Sequence, residues 1–166
     1  MTDRVIKAIA SLCVGLFAAL YVAHNIANLP QAHDFFIYTT SHVDQEAYPV
    51  TLLPVPPGFL IVLAMVGVFA LEATAGVLGI FGAWAMWNAR KGDVTAFRAA
   101  KRWAKIGMAC AVANWWGLFQ GIAIAGYQLW QMPLGEGPFY GSFFYGAMAM
   151  MVLIYLSQPE EDGAIA

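Results

Sequence analysis

Glu72 is the residue that raises the question of chemistry: a carboxylic acid near the middle of an apolar run, in Ala70-Leu-Glu-Ala-Thr-Ala-Gly76. An ionisable group at mid-membrane depth is costly to place, so such residues turn toward a bundle interior or a water-filled path. Two roles follow. A protonated acid, hydrogen-bonded to a neighbouring helix, would lock two helices together, because burial disfavours the charged form. An acid that takes a proton or a ligand would serve a small transporter or a quinone-type site. A proton path ordinarily shows a relay of ionisable groups, and no second acid or base is expected at the depth of Glu72.

The remaining polar residues supply little else. His24 stands beside Asn25 and Asn28 near the end of the first apolar run. A haem held by two histidines needs another at similar depth. None is offered, so polar capping is the expected role and no cofactor is expected. His42-x-Asp44-x-Glu46 would align three side chains on one face if the backbone were extended, with His33 in support. A solvated polar loop, available to a partner, is the simpler expectation, and no metal is expected. Cys13 and Cys110 fall inside apolar runs and read as inert thiols. There is no Ser/His/Asp set, glycine-rich phosphate loop or facing pair of carboxylates, so no enzyme is expected.

The elements that must position Glu72 follow from composition. Of 166 residues, 61% are apolar and 11% charged, where an ordinary soluble domain has about 45–50% and about 25%. Lipid is therefore the expected solvent. A net charge of −2 gives no reason to expect a nucleic-acid partner. Four runs, about 5–27, 59–87, 103–130 and 139–156, approach or exceed the roughly 20 residues that a spanning helix needs. The expectation is an all-α, four-transmembrane-helix bundle forming one membrane domain over 1–166. A barrel is excluded because the alternating pattern is missing.

All eight basic residues sit at Arg4, Lys7, Arg90, Lys91, Arg98, Lys101, Arg102 and Lys105. With four spans these fall on one side, which the positive-inside rule makes cytoplasmic. A bacterial-type inner membrane with both termini inside is expected. The basic loop is then placed to meet anionic membrane lipids. The first run is too long for a cleaved signal and ends without a small-x-small site. The long segment 28–58 would lie outside as a cap. Its Asp34-Phe-Phe-Ile-Tyr38 reads as a short surface helix, and Pro49, Pro54, Pro56 and Pro57 make its second half extended.

Packing can be read from small residues. Ala75, Gly76, Gly79 and Ala83 form a stripe beside Glu72, and Gly107, Cys110, Asn114, Gly117, Gly121, Ala125 and Gln128 form another on the third span. Small residues let membrane helices approach closely. The two stripes are expected to pack together, with Asn114 or Gln120 bonded to Glu72. Trp84, Trp87 and Trp103 mark one interface and Trp130 the other. Trp115 and Trp116 lie too deep for a belt and read as internal packing or contacts to lipid or a partner. A five-residue echo, Gly15-Leu-Phe-Ala-Ala19 and Gly117-Leu-Phe-Gln-Gly121, allows a duplicated helix pair.

Several of these features recur together in one family. They are Arg4-Val-Ile-Lys7, Gly15-Leu-Phe17 leading to Asn25, Asp44, Glu72, Ala100-Lys101, Trp130-Gln131, and Leu153-Ile-Tyr-Leu156 with its acidic tail. On them the chain resembles the domain of unknown function 2165 family of predicted small integral membrane proteins. It departs from the family at His24-Asn25, where paired asparagines are usual, and at Leu53-Pro-Val-Pro56, which replaces a polar Trp-Arg segment. The resemblance implies a four-helix fold and no reaction. Without a site for chemistry, the expected role is that of an accessory subunit beside a larger respiratory or photosynthetic membrane complex. The alternative is the transporter or proton/quinone role for Glu72.

Overall fold

The computed structural model describes residues 1–160 and is all-helical over them. Helix α1 runs Thr2–Ala27, α2 Leu29–Thr40, α3 Gly58–Ala89, α4 Val94–Val112 and α5 Glu136–Ser157. Four helical stretches are long and apolar enough to cross a membrane: Thr2–Ala27, Gly58–Ala89, Val94–Gly126 and Pro133–Ser157. Their outward faces are apolar, with Leu63, Val77, Phe144 and Met151 exposed. That is the surface a lipid solvent requires, since hydrocarbon offers no penalty for exposing them.

The segment 28–58 is less of a loop than expected. Its first part is the 12-residue helix α2, begun by Pro30 in the first turn directly after Asn28, where proline's missing N–H costs nothing. The rest is irregular, as its prolines require, but it is fastened down. Gln45 Nε2 donates to the Tyr127 carbonyl at 2.7 Å, and Gln128 Nε2 to the Val50 carbonyl at 2.9 Å. Gln131 closes a two-way bridge with the backbone of Tyr48 at 2.9 and 3.0 Å. The cap thus grips the connection between the third and fourth spans.

The third span also departs from expectation. It starts at Val94, capped by the Asp93 carboxylate accepting from Ala96 N at 2.7 Å, and from Ala113 to Gly126 it continues as a π-helix. The i→i+5 bond from Tyr127 N to the Ile122 carbonyl, 2.9 Å, closes it. A π-turn is wider than the 3.6-residue α-turn and is rare outside single bulges. Each residue therefore turns through less than the about 100° of an α-helix. A stripe written with α-helical spacing drifts off its face. Left-handed Gln128 (φ 56°) then ends the helix.

Helix α3 is the hub. A Cβ on Gly79 would lie 2.8 Å from Gly15 Cα of α1, and one on Gly107 of α4 would lie 2.9 Å from Gly79 N. Gly82 meets the Ala104 backbone of α4 still more tightly. Buried Ser11 Oγ adds a bond to the Gly79 carbonyl at 2.9 Å. Three helices share this close contact, so the α3 stripe divides between α1 and α4. Gly117 and Gly121 take no part: they are exposed, on the π-helix that has rotated them away. The Gly15/Gly117 echo therefore has no structural counterpart, since Gly15 is enclosed and Gly117 meets nothing within 4 Å.

The chain start, the α3–α4 turn and the end of α5 converge at one end. Arg4 Nη1 donates to the carbonyls of Arg90 (3.3 Å) and Gly92 (2.6 Å). Glu160 inserts between two buried lysines, taking Lys7 Nζ at 2.8 Å and Lys101 Nζ at 2.6 Å on one oxygen. Lys7 also holds Asp3 at 2.8 Å. Lys101, one of the basic-loop residues expected to meet lipid, is thus occupied by the chain's own acid. Arg98, Arg102 and Lys105 remain beside an open cavity on α4.

Candidate functional site

Helix α3 carries Glu72 about halfway along its length and buries it to 1% exposure. The carboxylate is held from both sides. Asn25 Nδ2 of α1 donates to Oε2 at 2.9 Å, and Asn114 Nδ2 donates to Oε1 at 3.4 Å from the first turn of the π-helix. Asn114 is the expected partner, while Asn25 replaces the capping role assigned to it. Gln120 does not reach Glu72. It donates to the Phe139 carbonyl at 2.6 Å and to Ser142 Oγ at 2.8 Å, because the wider π-turn carries residue 120 toward α5.

Asn114 Oδ1 is buried and has no donor among the described residues. A proton on Glu72 would supply one, given a flip of the amide. Two asparagines and one acid can therefore accommodate either protonation state with the same side chains.

Glu72 forms part of the wall of a cavity of about 430 Å3 between α1, α2, α3, the π-helix and α5. Asn25, His24, Gln31 and Ser142 contribute polar atoms, and Tyr21, Trp115, Phe119 and Tyr145 contribute rings. The Tyr21 hydroxyl donates to that of Tyr145 at 2.7 Å. Behind them Phe17 packs on Tyr145 with ring centres 4.3 Å apart and on Trp115 at 5.4 Å. This resolves the two deep tryptophans. Trp115 is buried in the aromatic cluster, and Trp116 Nε1 donates to the Phe143 carbonyl at 3.2 Å while its ring fills the space over Gly146.

The cap residues form no ligand set. His42 (φ 61°) and Asp44 (φ 60°) both adopt left-handed backbone, which breaks the extended geometry that would have aligned them with Glu46. Asp44 instead accepts from the Tyr38 hydroxyl at 3.4 Å, and Glu46 is exposed. His24 is also exposed and lines the cavity mouth, with its carbonyl bonded to Asn28 Nδ2 at 2.8 Å. Ala75, Gly76, Gly79 and Ala83 are all buried below Glu72, and Gly107 joins them.

The model of the family of predicted small integral membrane proteins, domain of unknown function 2165, matches residues 3–159. The chain belongs to this family. No curated protein and no solved structure matches it. Within this member of domain of unknown function 2165, the match covers Glu72, both of its asparagine partners and the cap. It ends one residue before Glu160, the acid that closes the opposite end.

Proposed function

We propose that this chain is a non-catalytic membrane protein that binds a small molecule, or a proton, at Glu72, in the manner of a small transporter or quinone-binding protein. The observation that carries this reading is a buried carboxylate on the wall of a cavity of about 430 Å3. Ligand sites are concave, largely apolar and furnished with a few convergent polar groups, at volumes of about 300–1,000 Å3. A group that only tied helices together would need no such space beside it. The convergence of the basic residues and the described chain ends on one side favours cytoplasmic termini in a bacterial-type inner membrane.

Native mass spectrometry of the protein released from its own membrane in mild detergent tests the binding role. The wild type should carry a small molecule that Glu72→Gln loses at least tenfold, with melting changed by only a few degrees. Equal occupancy in Glu72→Gln would remove the role. Glu72→Leu, which deletes both hydrogen bonds, should instead lower stability, because the buried Asn114 amide loses its acceptor at about 1–3 kcal/mol and the half-buried Asn25 amide loses its own at a smaller cost.

A second reading, the accessory subunit of a larger respiratory or photosynthetic membrane complex, draws on a different observation. Gly117, Gly121 and Ala125 are exposed on the π-helix, which leaves a smooth strip where a helix of another subunit can approach. Stoichiometric co-elution with other membrane proteins supports this role, and elution alone counts against it.

A further inference from the structure

We infer that the Glu72 cavity takes an alkylammonium group carried on an apolar chain, an assignment that rests on the binding role proposed above. Charge comes first. Among the described residues the cavity wall contains one acid, Glu72, and neither lysine nor arginine. Its other titratable side chains are Tyr21, His24 and Tyr145. Every lysine and arginine of the chain lies within 4–7 or 90–105, gathered at the far end of the bundle. A cation entering here meets a carboxylate with no competing cation from the protein.

The walls select the kind of cation. Phe69, Trp115, Phe119 and the two tyrosines line the same space, and ring faces attract ammonium groups through their quadrupoles, most strongly where water is excluded. Quaternary ammonium ions are the typical cargo of such aromatic cages. A quinone suits the wall less well. Its oxygens are acceptors and gain nothing from an acceptor carboxylate, whereas an ammonium group pairs with the Glu72 carboxylate on this wall.

The apolar chain has its own place. A second cavity of about 380 Å3 shares Phe35, Phe36, Val68 and Phe119 with the first and continues between α2, α3 and the π-helix. Leu60, Ile61 and Ile122 line it, and among the described residues it holds no charged side chain. A head against Glu72 and a tail under α2 use both spaces at once. The same chemistry occurs in the choline head of a phospholipid and in a freely diffusing lipophilic amine.

The test uses the full chain in nanodiscs of phosphatidylglycerol alone, titrated with dodecyltrimethylammonium and, in parallel, with uncharged dodecanol. Binding is read by tryptophan fluorescence and melting temperature. The expected result is saturable binding of the cation, weakened at least tenfold by Glu72→Gln and several-fold by Phe69→Leu, with no saturable response to dodecanol. Phe69→Leu leaves the carboxylate and its asparagines in place, so it decides the matter if Glu72→Gln does not fold. Equal binding of dodecanol, or an affinity unmoved by both substitutions, overturns the inference. If a short-chain quinone binds in a Glu72-dependent way and the cation does not, the ammonium assignment fails while the binding role stands. If nothing binds in a Glu72-dependent way, both fail. Competition by added phosphatidylcholine identifies a lipid head as the source, and its absence identifies a free amine.

Discussion

Replacing Glu160 by alanine should destabilise the protein by about 3–5 kcal/mol at pH 7, the cost of breaking a buried ion pair from one side. Lys7 and Lys101 are 1% and 4% exposed, and both ammonium groups share one oxygen of this acid. Without it Lys7 keeps Asp3, but among the described residues Lys101 keeps only the Gln158 carbonyl at 3.0 Å. Glu160→Gln, which preserves shape but not charge, should fall between. The sign of the pH dependence follows from Glu160 itself. Burial alone would raise its pKa, yet the hydrogen bonds and charges of Lys101 and Lys7 outweigh burial and hold it below the usual 4.5. A folded-state value that is lowered stabilises fully above the unfolded value and is lost as pH falls through the folded one. Melting curves in detergent should therefore show a wild-type advantage over Glu160→Ala that is complete at neutral pH and shrinks below pH 4.5. Equal melting of the two proteins at pH 7 would show that the acid is not a tie.

How much of this was legible in the sequence depends on the physics involved. Spans and their common basic end were readable, because hydropathy and charge act additively along a chain. Asn114 as a partner of Glu72 followed from matching depths. Asn25 was missed, although a signal for it exists. Gly15 opposes Gly79 and Ala19 opposes Gly76, and continuing that antiparallel crossing by between one and two further turns brings Asn25 to the neighbourhood of Glu72. The π-helix was not readable. Ala113–Gly126 is apolar with three glycines, which are frequent in membrane helices of every kind, and nothing in its residue types announces a wider turn. That one local choice moved Gln120, Gly117 and Gly121 from the expected interface and placed Trp115 inside. The Glu160 tie was hidden for another reason. Lysines at a basic end are normally solvated or lipid-bound, and only the folded path of α5 brings residue 160 between helices α1 and α4.

Gly82→Val should be the most damaging single substitution along helix α3. A Cβ on Gly82 would overlap the backbone nitrogen and Cα of Ala104, so the clash falls on the axis of α4 and cannot be relieved by a rotamer change. Overpacking a well-filled core costs about 1–3 kcal/mol when side chains can shift, and more when they cannot. Here a destabilisation above about 3 kcal/mol is expected, and with it a loss of the compact species on size exclusion. The same change at Gly67 provides the control. That residue lies on the same helix, where an added Cβ meets nothing within 4 Å. Gly67→Val should melt close to wild type, although it narrows the apolar cavity. Opposite outcomes at two glycines of one helix would show that α3 is held by backbone proximity, since composition and hydropathy change equally in both. If Gly82→Val folds as well as Gly67→Val, α3 and α4 do not meet at the distance that lets Asn114 reach Glu72, and the site would have to be rebuilt from Asn25 alone.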